Sequence, residues 1–282
     1  IREGLRSRHI EYRMEETRHR GDAERLARSF MQQGFKRFLI AGGDGTVHEA
    51  VNGLMADPSR AEECVIGQLP LGTGNDWIRS LGLPVRMGDV LDLVAAGRNR
   101  PHDGGVVIFP DRDRERRRYF VTVCGIGFDA QVASSTDRKN RASTGGRWKY
   151  LASIFQCLRA RVIARCLIDQ SGQTIDTRCF SMTAAVGPYS GGGMCLSPRA
   201  SFDDGLLDIT VIGRVSMIEI LFCFPLIYSG SIHRYPRVRT WRTNHLTLTS
   251  DPVLPIHVDG EVCGTTPVTI RSVRHAFQAV AP

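Results

Sequence analysis

The chain has 282 residues, enough for one large or two ordinary domains, and 42% of them are hydrophobic, which excludes a disordered chain. Lysine and arginine outnumber aspartate and glutamate by 37 to 29, a formal net charge of +8, so anionic partners are expected: a phosphorylated substrate, an anionic membrane surface or nucleic acid. Zinc-finger spacing, an RNP aromatic motif and a basic region feeding heptads are all missing, so no nucleic-acid partner is expected.

In chain order, residues 8 to 16 read as a strand, 22 to 32 as a helix opened by Asp22, and 36 to 41 as a strand covered on both faces. Val47, Ala50, Val51 and Leu54 then fall at i, i+3, i+4 and i+7 of one helical stripe. Between strand and helix lies Gly42-Gly43-Asp44-Gly45-Thr46. Glycines there permit positive φ and let a bulky anion approach the backbone, while the first N–H groups of the helix lack internal partners and point toward it. Thr46 is the expected cap. The pattern is neither the Walker sequence nor GxGxxG, so neither of those nucleotide classes follows. A second apolar run, Cys64 to Leu69, leads into Pro70-Leu71-Gly72-Thr73-Gly74-Asn75-Asp76 and a helical start at Trp77, Ile78 and Leu81. Parallel strands present their carboxyl ends on one edge, so both glycine turns are expected to face one ligand across a crevice. Asp44 and Asp76 would flank it, holding a hydrated Mg²⁺ that bridges phosphates or orienting the donors that do so. With a further helix near 87 to 96, this alternation predicts a parallel sheet with helices on both faces.

From Asp103 onward short β-rich runs dominate: 105 to 109, 119 to 124, 166 to 169, 178 to 186, 207 to 212, 245 to 249, 256 to 258 and 268 to 273. They predict a second, mostly antiparallel β domain. Asp111 to Arg118, DRDRERRR, reads as a solvated hairpin tip. Ser134 to Arg165 interleaves eight cations with Trp148, Tyr150, Ile154 and Phe155; as an amphipathic helix it suits a headgroup layer, or equally a place packed on the β domain. The longest apolar run, Ile218 to Tyr228, is broken by Glu219 and Pro225 and falls short of the roughly 20 residues needed to cross a bilayer. The cysteines are scattered without Cys-x-x-Cys and read as reduced core thiols, and the histidines lack metal-ligand spacing, so no zinc is expected. Asp259-Gly260-Glu261, at the end of a strand, either aims two carboxylates at one point or is an ordinary turn.

Five segments in order, GGDGTVHEAVNG, PLGTGNDWIRSLGLP, GIGFDA (125 to 130), SFDDGLLDI (201 to 209) and HVDGE (257 to 261), resemble the diacylglycerol kinase catalytic family, which also includes sphingosine and ceramide kinases. Thr17 through Ala23 is similar to a further family segment, and LGTGND is most similar to the bacterial soluble diacylglycerol kinases and their relatives. The resemblance implies an α/β nucleotide-binding domain (1 to 102) and a β-sandwich lipid-binding domain (103 to 282) whose last residues return to the first, with the active site in the cleft between them. It implies ATP and Mg²⁺, and a diacylglycerol-like acceptor met at an anionic membrane surface by a cytoplasmic, peripherally associated enzyme; a homodimer is left open. Ceramide or a sphingoid base is the alternative acceptor, and an idle nucleotide-binding regulator or an NAD-kinase-like metabolite kinase the remaining alternatives.

Residue by residue, the resemblance puts the nucleotide on Thr17, Gly42, Gly43, Asp44, Gly45, Thr46, Val47, His48, Glu49, Gly72 and Thr73, with Asn75 and Asp76 near the phosphates and the reactive metal. Asp129 faces the cleft. The general base is Glu261 first and Asp259 second. A structural Mg²⁺ is implied at Asp204, completed by the carbonyls of Ser201 and Leu206. Family members open with a strand and an Asn-Pro turn that also touches the nucleotide, whereas this sequence starts at Ile1, inside what reads as the first helix.

Overall fold

The computed structural model describes residues 1–112, 114–140, 158, 162–170 and 172–282. Helices α1 (Arg2–Arg6), α2 (Asp22–Gln32), α3 (Asp44–Leu54), α4 (Pro58–Ala61), α5 (Asp76–Leu81) and α6 (Met87–Ala95) surround two parallel strands, β1 (Arg37–Gly42) and β2 (Val65–Pro70). The chain then becomes β-rich: β3 (Asn99–Asp111), β4 (Arg114–Phe120), β5 (Val123–Gly127), helix α7 (Phe128–Asn140), β6 (Ala164–Gln170), β7 (Gln173–Cys179), β8 (Ser181–Ala185), β9 (Tyr189–Ser190), β10 (Met194–Cys195) and β11 (Leu207–Ile212). Helix α8 (Met217–Tyr228) precedes β12 (Val238–Thr243), β13 (His245–Asp251), β14 (Pro255–Val258), β15 (Glu261–Thr265) and β16 (Val268–Val280).

Two sheets organise these strands. The larger runs β1-β2-β16-β13-β6-β7, with β3 on β16 and β4 on β3; the smaller runs β12-β11-β8-β5-β14-β15 and is antiparallel throughout. Two long strands join the lobes. Thr269 to Val273 of β16 pair with Gly104 to Ile108 of β3, while Phe277 to Val280 pair with Asn99 to His102, and Gln278 and Ala279 lie parallel to Val65 and Ile66 of β2. Residue 103 is therefore inside a strand. The register shift between Val273 and Phe277 is held by the buried Asp103 carboxylate, which accepts the His275 N–H at 2.7 Å and the Gly205 N–H at 2.6 Å.

One hydrophobic core extends from Met31, Val51 and Leu54 through Trp77 and Phe120 to Ile168, Ile209 and Ile256. At its centre the His102 ring stacks on Phe277 (centroids 4.5 Å, 16°) and tilts against Phe202, and its Nε2 accepts the Trp77 indole N–H at 2.9 Å. Burial drives the His102 pKa down to about 3, so the ring is neutral.

Residues 8 to 16 differ from the strand expected there. After α1 the chain runs irregularly to residue 18, and Ile10 and Met14 pack on Leu5, Leu69, Val90 and Leu91 with no backbone ladder. The hairpin tip is also shorter than expected, because Arg114 to Arg118 belong to β4, paired with Ile108 to Asp111 and Val107 of β3. Most of the basic segment 134 to 165 lies outside the described residues; α7 covers its start, and Leu158 is buried against Val132, Phe180, Val215 and Ile220.

Candidate active site

β1 and β2 are parallel neighbours, so the turns that follow them emerge side by side. They touch backbone to backbone: a β-carbon on Gly72 would lie 2.5 Å from Gly43 Cα, and one on Gly43 would lie 3.1 Å from Gly72 Cα. A side chain at Gly72 would strike the backbone of the first turn, and one at Gly43 would fit only if the second turn gave by a few tenths of an ångström. α3 starts at Asp44 with Gly43 as its N-cap and no side-chain capping bond, so the early N–H groups of its first turn are open to an anion. Thr46 is thus not the cap expected; it sits inside the first turn, where a β-carbon on Gly42 would come 2.6 Å from its Oγ1.

Asp44 connects the two turns. Its carboxylate accepts the N–H of Asp76 and of Trp77, each at 3.2 Å, and so caps α5 from a distance of more than thirty residues along the chain. Burial pushes the Asp44 carboxyl pKa up against these bonds, and Asp76 and Asp259 add like charge. A β-carbon on Gly74 would lie 3.0 Å from Asp44 Oδ2 and 3.6 Å from Asp76 Oδ2, so the two carboxylates converge over that glycine. Asn75, with φ 49°, donates from Nδ2 to the Gly72 carbonyl and leaves Oδ1 buried with no hydrogen bond among the described residues. These oxygen donors suit a Mg²⁺ arriving with nucleotide phosphates. Asp76 also reaches across to the β-rich lobe, accepting the Gly192 N–H at 2.7 Å and pairing with Arg79 at 2.9 Å.

The other residues expected on the nucleotide divide. Gly43 to Thr46 and Thr73 line the turns, and Thr17 is exposed on the strap before α2. Val47 is core. Glu49 turns away to cap α2, accepting the N–H groups of Gly21 (2.9 Å) and Ala23 (3.2 Å). His48 is buried as well, and its Nδ1 lies 3.1 Å from Asp259 Oδ2 while Nε2 faces Asn52 and Arg118. Direct nucleotide contact by Val47, His48 or Glu49 side chains therefore gives way to packing, anchoring and capping.

Asp259 and Glu261, which the sequence leaves open as bases, are separated by their surroundings. The Asp259 side chain is buried on a backbone with φ 47°, and its carboxylate accepts the backbone N–H groups of Val121 (2.9 Å), Thr122 (3.0 Å) and Val123 (3.1 Å) besides facing His48. Those donors occupy the lone pairs that a base needs free. Glu261, at the start of β15, stays partly exposed, is ion-paired with Arg20, and brings Oε1 to 3.7 Å from where a β-carbon on Gly45 would stand. A carboxylate from the β-rich lobe thus meets the mouth of the first glycine turn. Between the two acids, the Gly260 N–H donates to His257 Nδ1 at 3.1 Å, and His257 Nε2 lies 3.2 Å from Asp129 Oδ2, at the start of α7. His257 stood in the quoted HVDGE segment without a role, and nothing in the sequence marks Gly192 or Arg20.

At the implied structural Mg²⁺ site the Asp204 carboxylate already has partners within the chain. Asp204 Oδ1 accepts the Leu206 N–H at 3.0 Å, Oδ2 pairs with Arg242 at 3.3 Å, and the Ser201 hydroxyl donates to Asp203 at 2.6 Å. Arg242 also pairs with Asp208 at 3.1 Å and donates to the Arg199 carbonyl. A guanidinium of the chain itself thus stands beside the carboxylate on which the structural Mg²⁺ was expected.

Residues 1–107 match the family model described as the diacylglycerol kinase catalytic domain, and residues 122–281 match the YegS C-terminal NAD kinase beta sandwich-like domain. A Shewanella frigidimarina protein named probable lipid kinase YegS-like is 31% identical over 251 residues, covering 87% of this chain and 76% of that one. A diacylglycerol kinase of Staphylococcus carnosus is 25% identical over 266 residues, 94% of this chain and 83% of that one. A solved structure of a diacylglycerol kinase candidate from Bacillus anthracis superposes with a TM-score of 0.79 at 22% identity, covering 100% of this chain and 90% of that one, a likeness of fold.

Proposed function

We infer that this chain, which belongs to the family of diacylglycerol kinases and YegS-like lipid kinases, transfers the γ-phosphate of MgATP to a hydroxyl group of a diacylglycerol-like lipid. The observation that carries the reading is the approach of Glu261, from the β-rich lobe, to Gly45 at the open end of α3. Phosphoryl transfer asks little covalent chemistry of a protein, and positioning with charge neutralisation supplies most of the rate. The first turn of α3 and the Gly72–Asn75 turn would cradle the phosphates, and Asp44, Asp76 and Asn75 would hold a Mg²⁺ that neutralises their charge.

Glu261 then receives the proton of the lipid hydroxyl. As it leaves, the hydroxyl oxygen bonds to the γ-phosphorus, the bond from that phosphorus to the bridging oxygen breaks, and ADP departs with the electron pair. Asp259 takes no proton. Its backbone bonds fix the left-handed turn that sets Glu261 at the mouth of the cradle. The test is transfer of radiolabelled phosphate from ATP to diacylglycerol, ceramide, sphingosine and NAD offered in parallel. Label in diacylglycerol supports the reading, label in ceramide or sphingosine changes the acceptor, and label in NAD alone or in nothing overturns it.

A further inference from the structure

Helix α8 has two apolar faces, and the fold uses one. Ile220 and Cys223 are buried, packed respectively among Val132, Phe180 and Val215 and among Leu196, Ile232 and Val238. On the other side Ile218 is 67% exposed and Phe222 74% exposed, and Pro225 is exposed too, at i, i+4 and i+7 of a single stripe, with the half-exposed ring of Tyr228 near its end. Large apolar side chains in a contiguous exposed row mark a surface that something covers.

Charge says what covers it. From residue 212 to 236, around the helix, the chain carries two arginines, Arg214 and Arg234, and one acid, Glu219. That acid is consumed internally by the Ser216 N–H, the Tyr235 hydroxyl and Arg237, which hold its pKa down at about 2. Arg214 before the helix and Arg234 after it are exposed, and a cavity of about 420 Å³ lined by Ile163, Arg214, Val215, Ser216, Glu219 and Arg237 lies at the amino-terminal end. A row of Ile and Phe flanked along the chain by Arg214 and Arg234 and ending on a tyrosine has the composition of a helix lying in a headgroup layer. A second copy of this chain would instead bring the same cations face to face. The position is apt, because α8 packs on β10, and the turn joining β9 to β10 carries the Gly192 that bonds Asp76 at the candidate active site.

We propose that the exposed face of α8, through Ile218 and Phe222 with Arg214 and Arg234, docks this protein on an anionic lipid bilayer. The proposal rests on the lipid-kinase reading for its purpose, and its test separates the two. Sedimentation with vesicles of phosphatidylcholine alone and of phosphatidylcholine mixed with phosphatidylglycerol should show binding to the mixture, lowered about tenfold or more by Ile218→Ser with Phe222→Ser. Arg214→Gln with Arg234→Gln should lower binding to the mixed vesicles at low salt and make little difference at high salt. Phe222→Trp, which keeps an aromatic side chain, should give fluorescence quenched by lipids brominated on their acyl chains. Unquenched Phe222→Trp and unchanged sedimentation of the serine pair overturn the proposal. So does a serine pair that turns a dimer into a monomer while vesicle binding persists, for then a second copy is the occupant. Transfer to detergent-dispersed diacylglycerol, measured alongside, tells the failures apart: transfer without α8-dependent docking removes the docking surface alone, and docking without transfer to any lipid removes the kinase reading alone.

Discussion

Asp44 Oδ1 lies 3.2 Å from the amide nitrogen of Trp77, a bond from the first glycine turn to the helix that leaves the second. The two turns are therefore one cradle rather than two independent phosphate loops. Asp44→Ala is expected to cut transfer by about 10²-fold or more, since the carboxylate fixes the second turn and is one of the groups proposed to hold Mg²⁺. It should also cost about 1 kcal/mol through the lost cap on α5. Turnover and a melting curve of the purified variant check both; unchanged turnover rejects the assignment.

Replacing the two acids of the Asp259-Gly260-Glu261 turn should give different lesions. Glu261→Gln is expected to slow transfer about 10²-fold with ATP binding and melting temperature near those of the parent. Asp259→Asn is expected to destabilise by about 2–3 kcal/mol, because an amide nitrogen would face backbone N–H groups that now find an acceptor. A stable Asp259→Asn protein with slow chemistry, beside a Glu261→Gln protein of full turnover, would exchange the two roles.

Acid should destabilise the protein partly through His102. Its pKa falls from 6.5 to about 3 on folding, chiefly by burial, so between those values the unfolded chain binds a proton that the folded chain refuses. Stability is thus full above pH 6.5 and lost as pH drops toward 3, by at most about 1.4 kcal/mol per pH unit from this group. His102→Gln, which keeps an acceptor for Trp77, should flatten the acid limb of melting temperature against pH. An unaltered limb would put the sensitivity elsewhere.

Arg242 should matter to the β-rich lobe where Mg²⁺ does not. Burial raises the Asp208 carboxyl pKa, and Arg242 is the main counterweight. Because Arg242 is itself partly exposed, Arg242→Met is expected to cost only about 1 kcal/mol, seen as a melting temperature lower by a few degrees. Chelation with EDTA should leave the ligand-free melting curve in place. A clear fall on chelation would restore a structural metal at Asp204.

How much of this was legible in the sequence depended on what each segment must do alone. Leu207–Ile212, apolar and central, is a strand as expected to the residue. Missed or foreshortened strands, β4, β7, β12 and β15, each pair on one side only. Edge strands carry charge and few apolar residues, as in Arg114 to Arg118, so the pattern that marks a buried strand is weak there. The opposite error occurred at residues 8 to 16, where Ile10, Tyr12 and Met14 alternate like a strand although no neighbouring backbone pairs with them. At the site, glycine turns advertise themselves, since the two turns approach backbone to backbone and a side chain at Gly72 would collide with Gly43. The work of His48 and Glu49 could not be read, because each acts on a partner remote in sequence: Asp259 for one, the amides of Gly21 and Ala23 for the other.

The sharing of β16 between both lobes has a consequence for recombination. Its first half is laddered to β13 and its second half to β2, with β3 alongside throughout. A chimera that grafts the β-rich lobe of one relative onto the nucleotide lobe of another, with a crossover near residue 103, would join foreign halves within β3 and force a foreign β16 into the parent's β2. Lipid preference should therefore be moved between relatives by exchanging surface loops and cleft side chains on an intact frame. Neither lobe is a unit that can be traded without the other.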